Sequence, residues 1–167
     1  MNKFEQKVLA VPTNKLFIHR IPMTGSEDRL HNLWPIFLGG HVEESDLNIE
    51  EAADREFNEE LHYGGNILRK EFVGVVNLQD NAVNSVHAGL VWAFMGDSEN
   101  FENTGDDGVI DGKFVAWEEA EKMVGQMSYW SKVTFPELRK RYEITSERDY
   151  LFRFLADKSS CGNVSGG

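Results

Sequence analysis

Cysteine is almost missing from this chain: Cys161 stands alone, in a Ser/Gly-rich tail, so no intramolecular disulfide can form and a disulfide scaffold is excluded. Basic residues are also scarce, with 17 Lys and Arg against 28 Asp and Glu and a net charge of −11. A surface of that sign repels polyphosphate chains and anionic membranes unless cations or a local basic patch intervene. Stable nucleic-acid binding is therefore not expected. No run approaches the roughly 20 apolar residues of a membrane helix, and residues 1–7 carry no hydrophobic signal core. The expected setting is cytoplasmic, with no membrane partner. Equally absent are a Gly-rich Walker loop, a CxxC pair, an HExxH helix and a GxSxG elbow, which argues against the chemistries they carry.

What is present is enough for a core. Apolar residues make up 41% of 167 positions, which fits one domain of ordinary size. We expect a single domain over residues 1–156 and a flexible tail over 157–167. Short apolar runs read as strands at 7–11, 16–21, 35–38, 72–78, 87–95 and 113–117. Ile49, Ala52, Ala53, Phe57 and Leu61 recur at helical spacing, with Asp46 or Asn48 as N-cap and Gly64-Gly65 as the expected stop. Further helices are expected after Trp117, over 135–141 and over 146–156. The acidic, Gly-rich stretch 96–112 reads as a long surface loop. Strands interspersed with a few helices, without regular alternation, indicate an α+β domain.

The richest segment is GGHVEESDLNIEEAADREFNEELHY, residues 39–63. Glu56, Glu59 and Glu60 stand at i, i+3 and i+4, so their carboxylates share one helical face. Like charges at this spacing cost a few tenths of a kcal/mol per pair, roughly, in an isolated helix. Three of them ask for a counter-charge, and a hard divalent cation with oxygen ligands supplies one. A solvated acidic face is the plainer alternative. Arg55 can reach Glu59 at i+4, and Gly39-Gly40 lets the backbone come close to the helix.

Gly40, then Arg55-Glu56, apolar Phe57 and Glu59-Glu60, resembles the Nudix box of the MutT-type Nudix hydrolases: Gly, five residues, Glu, seven residues, Arg-Glu-apolar-any-Glu-Glu-any-Gly-apolar. Residues 55–61 match at each fixed position. Three departures stand out. The interval from Gly40 to Arg55 is one residue longer than the pattern. The intermediate Glu has no unique equivalent, with Asp46, Glu44 and Glu43 as stand-ins. His62 replaces the closing Gly, and Tyr63 takes the apolar place. Residues 29–32, 37–42 and 7–11 are similar to a Nudix subgroup usually labelled predicted phosphoesterases, and the likeness covers 7–117 in outline.

The resemblance implies a Nudix fold, a mixed β-sheet sandwiched between α-helices. It implies a metal-dependent hydrolase that cleaves the diphosphate linkage of a nucleoside diphosphate-X type substrate, using Mg²⁺ with Mn²⁺ as a substitute. Glu56, Glu59, Glu60 and the Gly39 carbonyl would then be metal ligands, and Arg55, Glu56 and Glu59 catalytic. Relatives place a further carboxylate in the loop before the last strand; Asp106, Asp107 and Asp111 lie there, with Asp107 favoured. Arg20, Arg29 and His41 are the candidates for substrate contact. Trp34, Phe37, Trp92 and Phe94 offer stacking faces, although aromatics on strands more often pack a core. Two other readings exist within the fold. An isomerase would need a cysteine near the start of the cassette, where there is none. A nucleotide-sensing module without catalysis would typically lose box carboxylates, and all three are kept. A homodimer, the commonest closed oligomer, is the assembly to test for.

Overall fold

The computed structural model describes residues 3–12, 14–23, 28–82, 84–103 and 110–145. The expected helix at 146–156, the tail with Cys161, and Asp106 and Asp107 lie outside them. Among the described residues, seven strands and three α-helices run in the order β1 (Lys3–Pro12), β2 (Lys15–Arg20), α1 (Ile49–Glu60), β3 (Leu61–Tyr63), β4 (Ile67–Val76), β5 (His87–Gly96), β6 (Phe101–Asn103), β7 (Ile110–Ala116), α2 (Trp117–Lys122) and α3 (Tyr129–Tyr142).

β5 is the centre of a three-stranded mixed sheet, parallel to β1 and antiparallel to β4. Its alternating side chains serve two cores at once. Trp92 and Phe94, with Val8, Phe17 and Leu38, pack against Ala53, Phe57 and Leu61 on the α1 side. Val91, Ala93 and Met95, with Leu9, Leu16 and Ile18, pack against Trp117 and Ala120 of α2 and Phe135, Leu138 and Tyr142 of α3. This is the α+β sandwich expected from the sequence. The other strands pair outside that sheet, β2 with β7 and β3 with β6. Phe57 meets Phe94 at 4.9 Å between ring centroids, and removing such a buried ring costs about 3–5 kcal/mol. That packing anchors the helix that carries the glutamates on an adjacent face.

Several expectations need correction. Residues 35–38 form no strand: Leu38 makes one bridge to Val8, its N–H donating to the Val8 carbonyl at 2.8 Å and its carbonyl accepting at 2.7 Å. Helix α1 stops at Glu60 rather than at Gly64-Gly65. Its C-cap, Leu61, is already extended at φ −143° and donates to the Phe57 carbonyl, so the chain leaves the helix directly into β3. No left-handed residue is needed there, which explains how His62 can stand where the Nudix pattern has Gly. The loop at 96–112 is anchored in its first half. Phe101 begins β6, and its ring lies 5.1 Å from Phe17, while the Tyr63 hydroxyl donates to the Ser98 carbonyl at 2.7 Å. Phe37, Trp92 and Phe94 are buried core residues and offer no stacking face; Trp34 is half-buried with Lys113 Nζ 5.5 Å above its ring.

His19 is buried at 4% exposure between the sheets, and one of its ring nitrogens, Nε2, lies 3.0 Å from the Phe37 carbonyl, which holds the 36–38 segment against β2. Burial pushes its pKa down to about 4, against a smaller upward pull from that carbonyl. The folded protein thus binds fewer protons here than the unfolded chain between pH 6.5 and about 4, so this residue lowers stability as the pH falls through that window. Denaturant melts across it should show His19→Gln losing less stability than the parent, by up to about 3 kcal/mol at the acid end. Parallel pH profiles for the two proteins would contradict the assignment.

Candidate active site

Asn48 starts α1 by accepting hydrogen bonds from the Glu50 and Glu51 N–H groups, each at 3.0 Å. Of the two cap candidates, Asp46 is free for another task. Its carboxylate grips Arg55 twice: Nε donates to Oδ1 and Nη2 to Oδ2, both at 2.9 Å. Asp46 lies six residues after Gly40, where the Nudix pattern has its intermediate Glu. The extra residue therefore falls between Asp46 and Arg55, in the capping turn, where Leu47 is 86% exposed. Arg55 holds the Asp46 carboxyl down at about 2.

The same guanidinium reaches three further groups. Nη2 donates to the His41 carbonyl at 2.9 Å, and Nη1 donates to Glu56 Oε1 at 2.9 Å and to Glu59 Oε2 at 3.1 Å. Arg55 thereby ties the Gly40–His41 turn to the helix and spaces two of the three glutamates. The i+4 contact with Glu59 expected from the sequence is formed.

The glutamates differ in setting. Glu59 is exposed, Glu60 half-buried and Glu56 buried at 6%. Burial raises the Glu56 carboxyl above its usual range, Arg55 opposes that, and Glu59 adds to it. Burial pushes Glu60 up to about 7, against a hydrogen bond from the Gly39 backbone, with repulsion from Glu56 and Glu59 on top. Glu56 and Glu60 are thus carboxylates raised by burial and by neighbouring negative charge, a setting common at functional sites. They are hard oxygen donors short of positive charge, and a divalent cation fits that donor set. Lys7 on β1 is a further cation acting on both Glu56 and Glu60. Sequence reading saw only a strand residue there, because nothing local links position 7 to a helix some fifty residues away.

The glycine pair is required sterically. Gly39 has φ 137°, a region L side chains rarely adopt. A Cβ on Gly40 would sit 2.6 Å from Glu56 Oε2 and 2.8 Å from Oε1, so any side chain there would push that carboxylate out of its place. The side chains of Arg20 and His41 pair outside this knot. Arg20 forms an ion pair with Asp111 across β2 and β7. The His41 side chain points to Glu5 and His87 rather than to the glutamates, with Nε2 3.7 Å from Glu5 Oε1. Arg29 belongs to a short 3-10 turn at Asp28–Leu30.

Gly40→Ala should displace the Glu56 carboxylate, which Arg55 and burial hold in place. A misplacement of about 1 Å at a site can cost about a hundredfold, so Mn²⁺ affinity measured by calorimetry should fall at least about tenfold. The melting temperature of the cation-free protein should change little. Unaltered Mn²⁺ binding would remove Gly40 from the site.

Comparison with known proteins agrees with this geometry. The NUDIX domain family model matches residues 8–138. Among solved structures, Tm1382, which carries a provisional Nudix hydrolase assignment, superposes with a TM-score of 0.68 at 25% identity, covering 84% of this chain and 72% of that one. The NUDIX domain of Shewanella oneidensis NrtR, solved with ADP ribose, gives 0.68 at 13% identity, covering 84% and 88%. A bifunctional NMN adenylyltransferase/ADP ribose pyrophosphatase from Francisella tularensis gives 0.61 at 17% identity, covering 85% of this chain and 41% of that one. The search of curated proteins returns no match. With the family model spanning most of its length and the three-glutamate helix in place behind the glycine pair, this chain belongs to the Nudix domain family.

Proposed function

We propose that this protein is a divalent-metal-dependent hydrolase of the diphosphate linkage in a nucleoside diphosphate-X type substrate. The observation that carries the reading is the carboxylate face of Glu56, Glu59 and Glu60, with Glu56 and Glu60 desolvated and repelled by their neighbours and Gly40 closed over Glu56. Glu56, Glu59, Glu60 and the Gly39 carbonyl would hold the ion. When bound, Mg²⁺, or Mn²⁺ in its place, would offset charge on the diphosphate oxygens and favour ionisation of water. It would also allow an acidic protein to accept an anionic substrate.

The chain's own residues do the positioning. Arg55 holds Glu56 and Glu59 at fixed separation and is itself held by Asp46. Glu56 is buried with a raised carboxyl, which suits it to accept a proton. Arg20, paired with Asp111 through one guanidinium nitrogen, keeps further N–H donors for a substrate phosphate. Arg29 and His41 remain candidates for substrate contact, and Asp107 for the additional carboxylate. A nucleotide-type small molecule is the expected partner; structural neighbours solved with ADP ribose and with AMP and a Mn ion make that class the first to test.

The test is a panel of nucleoside diphosphate derivatives incubated with Mg²⁺ or Mn²⁺ and scored for phosphate-containing products. Glu59→Gln and Glu60→Gln should each lower turnover by at least about a hundredfold, the scale of losing a group that acts in the transition state, while circular dichroism stays native. Full activity in both variants, or undiminished activity in excess EDTA, would contradict the metal assignment. Tight nucleotide binding with no product from any member would favour a sensing module instead.

A further inference from the structure

We propose that Glu5, His41 and His87 form a second metal site, distinct from the glutamate face of α1 and suited to a borderline transition-metal dication such as Zn²⁺. Their ligand atoms all lie within 4.8 Å of one another. Glu5 Oε1 is 3.7 Å from His41 Nε2 and 3.5 Å from His87 Nε2. Those separations are too long for hydrogen bonds, which run about 2.7–3.2 Å. They are close to the spacing of two ligands on one ion, since donors about 2.0–2.1 Å from a tetrahedral Zn²⁺ stand roughly 3.4 Å apart.

The three residues come from segments that the fold fixes against one another. Glu5 is on β1, and His87 opens β5, its parallel neighbour, two positions off in register. His41 follows the glycine pair. Its backbone pairs with Glu5, the next N–H, of Val42, donates to the Phe4 carbonyl at 3.1 Å, and its own carbonyl accepts from Arg55. Two of the three side chains are largely buried, Glu5 at 18% exposure and His87 at 14%, whereas His41 at 55% can swing to complete the set and leaves a side open to solvent.

The carboxylate is oriented for the task. Glu5 Oε2 takes Lys7 Nζ at 2.5 Å, which turns Oε1 toward the imidazoles, as outer hydrogen-bond partners do for metal-ligating groups. Lys7 is seated 5.3 Å from the Trp130 ring centroid. Two imidazoles and one carboxylate select Zn²⁺ and its neighbours over Mg²⁺, which prefers all-oxygen octahedra. The donor chemistry therefore separates this site from the three glutamates.

The experiment is calorimetric titration of the full chain with Zn²⁺ in excess Mg²⁺ at near-neutral pH, followed by the visible spectrum of the Co²⁺ form. We expect one Zn²⁺ per chain to persist in excess Mg²⁺, in the Glu59→Gln/Glu60→Gln double variant and in Cys161→Ser. It should weaken at least about tenfold in His41→Ala and in His87→Ala, with loss of the four-coordinate Co²⁺ band. His41 is an exposed loop residue, so that variant tests the site even if His87→Ala fails to fold. Zn²⁺ uptake that survives His41→Ala, that excess Mg²⁺ abolishes, or that disappears with the two glutamates or with Cys161 would overturn the proposal.

Discussion

The Arg55 guanidinium is the interaction on which the site depends. It draws on one carboxylate, Asp46, for two hydrogen bonds, and spends the rest of its donors on the His41 carbonyl and on Glu56 and Glu59. Without it the glycine turn would keep the Gly39–Glu60 hydrogen bond to the helix but lose the tie through the His41 carbonyl, and Glu56 would be a buried carboxylate with Lys7 as a neighbouring positive charge. Removing Arg55 would leave Asp46, Glu56 and Glu59 without their shared counter-charge. One planar cation holding four partners thus fixes the geometry of groups that would otherwise repel one another.

Much of this was legible in the residues. The helical spacing of Ala53, Phe57 and Leu61 marks the apolar face of α1, and the spacing of Glu56, Glu59 and Glu60 marks a shared carboxylate face beside it, because both follow from the 3.6-residue period alone. The alternation along β5 was harder to see, since a strand buried on both faces reads as a continuous apolar run. The end of α1 was misplaced for a physical reason: Gly64-Gly65 is the usual helix stop, but the chain turned earlier into a strand whose partner, β6, sits inside an acidic stretch marked only by Phe101. The roles of Lys7, Glu5 and His87 were invisible because they rest on a parallel β1–β5 register, and no local pattern encodes a pairing across eighty residues.

The global charge and the site share one explanation. An acidic chain with a net charge of −11 concentrates desolvated carboxylates where the α1 helix meets the glycine turn, and their raised pKa values record the cost of ionising them there. Folding bears this cost through the aromatic packing beneath α1, where Phe57 contacts Phe94 and Tyr63. A native-state cation would offset it by mass action.

The most direct test compares thermal melts of the parent and of Glu60→Gln at a pH well above 7, the region to which the Glu60 carboxyl is raised, with and without Mg²⁺. If Glu60 is held ionised against burial and its neighbours, the variant melts higher than the parent in the absence of divalent ions, and Mg²⁺ raises the parent far more than the variant. A variant that melts lower than the cation-free parent, or an equal Mg²⁺ shift in both proteins, would contradict the account.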